Sequence, residues 1–269
     1  MPTDKLITFI IPAKNRVDYL KTAIASVLNQ SISCRIIVVD DGSSPSLSTA
    51  LGSLTKDITI IRNKSSLGPG EARNQGLRQA RTPFVAFLDS DDYLDPAFAE
   101  QSIKFFTTHP DLIGTTSLTH RVYEKGFKLG SLLKIISFNL LRDMMLLICG
   151  FQGQVPKSAP FLCLITPMVF RTRDIGKLSF DPEFRFCEDW MFIFQVLKRG
   201  DIGIVKKRLA YYRYSPTSFT FEEYRKNRKY EQKSYYYLKL IHNLTAVFPR
   251  SLLLYLFRFY TQLFLIKAA

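Results

Sequence analysis

Cysteine is scarce in this chain, and the four present (Cys34, Cys149, Cys163 and Cys187) are scattered with no C-x-x-C pair. That pattern excludes a small disulfide-stapled scaffold and leaves reduced, buried thiols as the expectation. Glycine-rich phosphate loops are missing too. No G-x-G-x-x-G follows the first hydrophobic run and no Walker sequence occurs, which argues against a dinucleotide dehydrogenase or a P-loop enzyme. Long apolar runs are also lacking: a membrane span needs roughly 20 apolar residues. Leu129 to Phe151 is interrupted by Lys134, Arg142 and Asp143, and Ser251 to Lys267 by Arg258 and Gln262. Both stretches therefore read as amphipathic helices that do not span. Met1-Pro2-Thr3-Asp4-Lys5 leads straight into a strand without a signal-peptide pattern, so a cytoplasmic site of action is expected.

Acidic residues are the other shortage. Asp and Glu total 23 against 37 Lys and Arg, a formal charge of +14 over 269 residues. The excess is concentrated late: from Lys198 onward, 15 basic residues face 4 acidic ones. Such a segment fits nucleic acid, anionic lipid or a phosphorylated substrate. Nucleic acid rests on charge alone and is not expected. Next to the run Arg225-Lys226-Asn227-Arg228-Lys229-Tyr230, the two amphipathic stretches favour an anionic membrane surface, with peripheral attachment to the inner face of the cytoplasmic membrane. The same helices could instead pack on the domain or on another subunit.

The few acids present are gathered at three places. Asp40-Asp41-Gly42-Ser43-Ser44 follows Ile36-Ile37-Val38-Val39, and Asp89-Ser90-Asp91-Asp92 follows Phe84-Val85-Ala86-Phe87-Leu88. Glu188-Asp189 opens the helical stretch Trp190 to Leu197. β-Branched and aromatic runs of this length read as buried parallel strands, and the carboxyl ends of such strands are where α/β sheets bind ligands. Strands at Leu6–Ile11, Ile36–Val39, Ile58–Arg62 and Phe84–Leu88 alternate with helices at Val17–Asn29, Ser43–Leu54, the segment opening at Glu71, and Asp95–Thr107. This rhythm predicts a doubly wound, mostly parallel α/β sheet. Beyond about Thr115 it changes, with further strands at Leu162–Phe170 and Ile202–Val205. We expect one domain over residues 1–220, with a nucleotide-binding half (1–115) and an acceptor-side half (116–220). A basic, amphipathic helical tail is expected over 221–269.

Carboxylates crowded at one strand end repel one another unless a cation or hydrogen-bond donors sit among them. Oxygen-only ligands suit Mg²⁺ or Mn²⁺, which bridge a few carboxylates to substrate phosphates. Taken alone, Asp91 or Asp92 could merely cap the following helix. Asp40 or Asp41 can accept from a base N–H or a ribose hydroxyl. Arg73, after the break Gly68-Pro69-Gly70, suits an anion or the edge of a nucleotide. Glu188 and Asp189, beside Phe186 and Trp190, could supply a general base with raised proton affinity, or simply the N-cap of the helix they open.

Together these segments resemble family 2 glycosyltransferases: Phe9-Ile10-Ile11-Pro12-Ala13-Lys14-Asn15, Val39 to Ser44, Gly70 to Gly76, Leu88 to Asp92 and Glu188-Asp189-Trp190 occur in that family's order. The resemblance covers about Leu6 to Ser218. It implies a GT-A fold and inverting transfer of a sugar from a nucleotide-sugar, usually a UDP-sugar, to a glycan or lipid-linked acceptor. Carried over by position, Pro12 and Asp41 would line the base and ribose, with Asp40 close by and Arg73 at the nucleotide's edge. Asp89 and Asp91 match the D-x-D motif, whose second acid binds the metal on the diphosphate. Asp189 matches the catalytic base, and Tyr212-Arg213 the late motif that closes over the diphosphate. A Q-x-x-R-W motif is absent, which disfavours a processive synthase. The alternative is a catalytically inactive transferase-like module held to membrane or partner by its tail. A phosphohydrolase would want Thr or Val where Tyr93 stands, and a nucleotidyltransferase a glycine-rich loop where Pro12 to Asn15 stand.

Overall fold

A computed structural model describes residues 5–126, 136, 140, 153–155, 164–184 and 188–215. The basic run, the C-terminal amphipathic stretch, Phe186, Pro216 to Ser218 and the cysteines other than Cys34 lie outside the described residues, as does nearly all of the 129–151 stretch. Among the described residues no helix is long and apolar enough to cross a membrane. The chain divides into two compact units, Met1–Val122 with Cys149–Arg213 and Tyr123–Ile148 with Tyr214–Ala269. In the second, the rings of Tyr123 and Tyr214 stack 5.2 Å apart, and the Glu124 N–H donates to the Tyr214 carbonyl.

The first unit is built on strand β1 (Ile7–Ala13), whose near-continuous apolar run is buried on both faces. It pairs in parallel with β2 (Cys34–Asp40) on one side and β4 (Phe84–Phe87) on the other; β3 (Thr59–Arg62) adds to β2. Helix α1 (Val17–Leu28) follows β1 and buries Leu20, Ala23, Ile24 and Val27, a spacing that puts one apolar stripe on the sheet. Ser46 caps the short helix α2 (Leu47–Leu51) by accepting from the Thr49 N–H. Helix α3 (Pro69–Gln79) starts with proline in its first turn, where the missing N–H is harmless. α3 lies very close to β1: a Cβ at Gly76 would stand 2.3 Å from Ile10 Cγ2.

After β4 the sheet changes direction, as the loss of rhythm in the sequence anticipates. The strand order is β3-β2-β1-β4-β7-β6-β8-β5, where β5 is Tyr93–Leu94, β6 Gly114–Tyr123, β7 Met168–Arg171 and β8 Ile202–Tyr214. β7 runs antiparallel to β4 and to β6, and β5 antiparallel to β8. The sheet is thus doubly wound and parallel in its first half only. β7 begins later than expected, with 164–167 forming the turn before it, and β8 is far longer than the Ile202–Val205 core of its sequence signal. Helix α4 (Phe98–Thr108) backs one face, where Phe98 packs 6.0 Å from Phe9. A short helix α5 (Thr172–Ile175) follows β7, and α6 (Glu188–Arg199) covers the other face.

What fixes α6 is an aromatic cluster. Phe192 stacks on Phe180 at 4.1 Å, and both meet Phe87 edge-on, at 5.7 and 5.1 Å; Phe87, Phe180 and Phe192 are fully buried. Removing each such ring from water stabilises the fold by about 1.5–3 kcal/mol. Because Phe87 lies two residues before Asp89 and Phe192 three after Asp189, the same packing sets those two acids against each other. Cys34 is buried and reduced, and burial pushes its thiol up to about 12, as expected of an inert core cysteine.

Candidate active site

All three acidic clusters lie at the carboxyl ends of the parallel strands or on the first turn of α6. The Asp40 side chain is fully enclosed: Oδ1 accepts from the Ser43 N–H (2.8 Å) and Oδ2 from the Leu47 N–H (3.0 Å). It ties the end of β2 to the start of α2. Asp41 is a hub. One oxygen accepts from Asn63 Nδ2 (2.9 Å) and the Leu67 N–H (2.8 Å), the other from Ser66 Oγ (2.6 Å) and the Gly68 N–H (3.0 Å). Burial alone would raise its proton affinity, but the four donors more than offset that and hold the carboxyl below its ordinary range. Asp40 therefore accepts from two backbone donors, and Asp41, through two backbone and two side-chain donors, shapes the loop that leads into α3. Gly42 is needed at the turn directly after them: its φ is +77°, and a Cβ there would lie 2.9 Å from the Ser65 carbonyl carbon.

Asp41 carries a measurable consequence. Its folded-state pKa lies below the unfolded value of about 3.9, so its contribution is fully present above that pH and is lost as pH falls through the folded value. Asp41→Asn should flatten the acid limb of a stability-versus-pH curve from urea titrations. An unchanged limb would show that the hub is not linked to folding.

Pro12 and Ala13 end β1 half-buried and buried, and the loop beyond is stapled to the loop after β2. The Asn15 N–H donates to Ser43 Oγ (2.8 Å), and the Ser44 N–H to Asn15 Oδ1 (3.1 Å). Arg16 then reaches Asp91, Nη1 to Oδ2 at 3.0 Å.

Arg73 sits at the centre. One guanidinium nitrogen donates to Asp89 Oδ1 (2.7 Å) and the other to Glu188 Oε1 (2.8 Å), while the group lies 5.3 Å over the Phe180 ring. The side chain is buried; burial opposes its charge, but Asp89 and Glu188 outweigh this and raise its proton affinity. A single guanidinium thus brings together the end of β4 and the start of α6, nearly a hundred residues apart in sequence. The neighbouring Asn74 holds the approach to α6 in both directions: its Nδ2 donates to the Phe180 carbonyl (2.8 Å), and its Oδ1 accepts from the Phe180 N–H (2.7 Å).

Asp189 is half-buried beside this pair, with one oxygen accepting from the Trp190 N–H at 2.9 Å. Burial, then the Glu188 carboxylate, pushes its pKa up to about 7, with Arg73 pulling the other way. Glu188 is occupied by Arg73, so the two adjacent acids differ in their surroundings. Asp91 is likewise raised, to about 6, by burial and by Asp89, with Arg16 opposing. Asp92 is enclosed and raised well above its ordinary value by burial and both neighbouring acids; its Oδ1 accepts from the Arg213 N–H (2.9 Å), and among the described residues Oδ2 has no hydrogen-bond partner. The Arg213 guanidinium lies over Tyr19 and Tyr93, 4.7 and 5.4 Å from their ring centres.

Each sequence-predicted site residue thus falls in one region of the first unit. Sequence reasoning missed Arg16, Asn74, Phe180 and Thr166, whose Oγ1 accepts from the Asp89 N–H at 3.1 Å. Only Arg16 had a usable signal, a cation directly after a strand end.

No group of three His, Cys, Asp or Glu side chains able to hold a metal occurs among the described residues. The donor set still fits a hard cation of the Mg²⁺ type, which characteristically takes one or two carboxylates and completes its shell with substrate phosphates and water. Asp89 and Asp91 supply that pair, partly exposed and mutually repelling.

The sequence family described as Glycosyl transferase family 2 matches residues 8–157. The chain is 31% identical over 222 residues to "Uncharacterized glycosyltransferase RC0461" of Rickettsia conorii, covering 81% of this chain and 34% of that protein. It spans about a third of the length of the first curated relatives it matches. Among solved structures, S. aureus TarS 1–349 in complex with UDP superposes with a TM-score of 0.61 at 22% identity, covering 78% of this chain and 61% of that one. The mannosyltransferase PcManGT from Pyrobaculum calidifontis, in complex with GDP-Man and Mn²⁺, gives 0.64 at 15% identity over 90% and 66%. At these identities the likeness is one of fold, and the fold is the GT-A type.

Proposed function

The chain belongs to glycosyl transferase family 2, and from that membership we propose that it moves a sugar from a nucleotide-sugar, a UDP-sugar in the first instance, to a hydroxyl of a cell-surface or lipid-linked glycan with inversion. The observation that carries the reading is the Arg73 bridge, which ties Asp89, the first acid of the D-x-D motif, to Glu188, the first of the paired acids of α6. Ligands named for proteins of the same fold, UDP for TarS and GDP-Man with Mn²⁺ for PcManGT, support the donor class.

Asp189 is the base. Its proton affinity, poised near neutrality, lets the carboxylate take the proton of the acceptor hydroxyl as that oxygen bonds to the anomeric carbon. The anomeric carbon–oxygen bond to the diphosphate breaks on the opposite face, and the nucleoside diphosphate leaves with the electron pair. Glu188 keeps Arg73 in place and its negative field keeps Asp189 basic. Pro12, Asp40 and Asp41 border the nucleotide, the two acids through the loops they hold, and Arg213 flanks the diphosphate from β8. Asp91, with Asp89 beside it, would hold Mg²⁺ or Mn²⁺, which supplies positive charge to the departing diphosphate. The basic tail beyond residue 220 is assigned to an anionic membrane surface on the cytoplasmic side.

Thermal unfolding with UDP, GDP and dTDP and their sugars, each with and without Mn²⁺, tests the reading. Stabilisation by one nucleotide class that depends on Mn²⁺ and is lost in Asp91→Ala is the expected result. No shift with any ligand would turn the assignment toward an inactive binding module.

A further inference from the structure

Arg16 is left without a role by the reaction as proposed, yet the fold goes out of its way to place it. Asn15 and Arg16 are the only non-glycine residues with positive φ among the described residues, at 57° and 53°. Asn tolerates that conformation; an arginine is held there only when its surroundings over-determine it, and such strain clusters at functional sites. The surroundings here are the Asn15–Ser43 and Ser44–Asn15 hydrogen bonds, which pin the loop and leave Arg16 in front of helix α1, directed across the end of β4. Its Nη1 ends 3.0 Å from Asp91 Oδ2, both side chains 22% exposed.

The two acids of the D-x-D motif therefore each carry an arginine, but the pairs differ in kind. Arg73 is buried, shared with Glu188 and seated on Phe180, so it cannot leave Asp89 without stranding a second acid. The Arg16–Asp91 pair is partly exposed to solvent on both sides.

We propose that Arg16 is a resident counter-ion for Asp91: it closes the cation position while the site is empty and turns to the diphosphate when donor arrives. The proposal rests on Asp91 being the metal ligand of the function proposed above. A guanidinium and a divalent cation compete for the same carboxylate oxygen, so the metal alone must displace Arg16. A diphosphate offers Arg16 new oxygens in bidentate geometry and adds ligands for the cation. Metal and donor then bind with positive coupling, and each raises the other's affinity by the same factor. The order of assembly follows: the bare cation binds poorly and donor brings it in.

The test is a titration of Mn²⁺ followed by the electron paramagnetic resonance signal of the free ion, with the full chain, alone and with saturating UDP. Arg16→Met should bind Mn²⁺ alone on the order of 10-fold more tightly than wild type, within the usual range of coupling between sites. The gain from UDP should shrink accordingly, and Arg16→Lys should restore weak binding. Arg16→Gly removes the guanidinium and suits the left-handed backbone, so it gives the same readout if the methionine variant folds poorly. Equal Mn²⁺ affinity in wild type, Arg16→Met and Arg16→Gly, with Asp91→Asn weakened, would overturn the counter-ion role and leave the metal assignment standing. Mn²⁺ binding that is indifferent to Asp91→Asn, or absent even with UDP, would remove the metal assignment and the counter-ion role together.

Discussion

Asp189→Asn should lower kcat by about 10²–10⁴-fold, the range that a positioned general base supplies, while nucleotide-sugar binding stays within a few-fold of wild type. The amide keeps the shape of the carboxyl and the bond from the Trp190 N–H, but it cannot take a proton. The comparison of kcat with donor Kd is what discriminates: a donor-binding role would weaken both. The pH dependence gives a second reading. The base must be unprotonated, so wild-type kcat should be low in acid and rise through about pH 7, where burial and Glu188 place the Asp189 carboxyl. A rate that is flat from pH 5 to 9 would show that another group, or none, accepts the proton.

Arg73→Met is expected to have the largest effect on the fold. It leaves Asp89 and Glu188 without their shared cation, and removing one partner of a buried ion pair costs about 3–5 kcal/mol. Urea titration should show that loss. Because Arg73 also pulls Asp189 toward ionisation, any activity left in the variant should have its pH midpoint moved upward. Arg73→Lys keeps one charge but loses the fork that serves two acids at once, so it should recover only part of the stability. A fully stable Arg73→Met protein would mean that the bridge reports geometry without energetic weight. A stable variant with a shifted pH profile would separate the electrostatic role from the structural one.

How much of this was legible in the sequence depends on what each position encodes. β1, β2 and β4 are short apolar runs closed by proline or acid, and burial on both faces leaves them no other reading. β6 was not anticipated: it buries Thr115, Thr116, Ser117 and Thr119, hydroxyl residues that do not look like core until their neighbours are known. β8 was cut short at Val205 because Lys206, Lys207 and Arg208 follow, and all three are exposed in a strand that turns inward again at Leu209. At the site, the three acidic clusters and Arg73 stood out as residue types at strand and helix ends. Their internal division did not. Which of Glu188 and Asp189 meets Arg73 depends on the angle at which α6 arrives, and that is fixed by the packing of Phe180 and Phe192 on Phe87, which is distant from both in sequence. Nor could the left-handed turn at Asn15-Arg16 be read, since neither residue is glycine.

Helix α3 sets a rule for which length changes this chain can absorb. Arg73 and Asn74 are adjacent on it, Gly76 is fitted against Ile10, and Gly70 would bring a Cβ to 3.3 Å from Phe180. One inserted or deleted residue between Gly70 and Gly76 would rotate everything beyond it by about 100°, since the helix has 3.6 residues per turn. The glycine contacts and the two polar anchors would then fall out of phase together, and no single compensating substitution could restore them. The 3₁₀ turn at Gly52–Asp57, which has no buried residue, carries no such phase. Insertions and deletions should therefore accumulate in that turn and be excluded from the helix, a drift that lets one stretch before β4 vary while the next keeps its register.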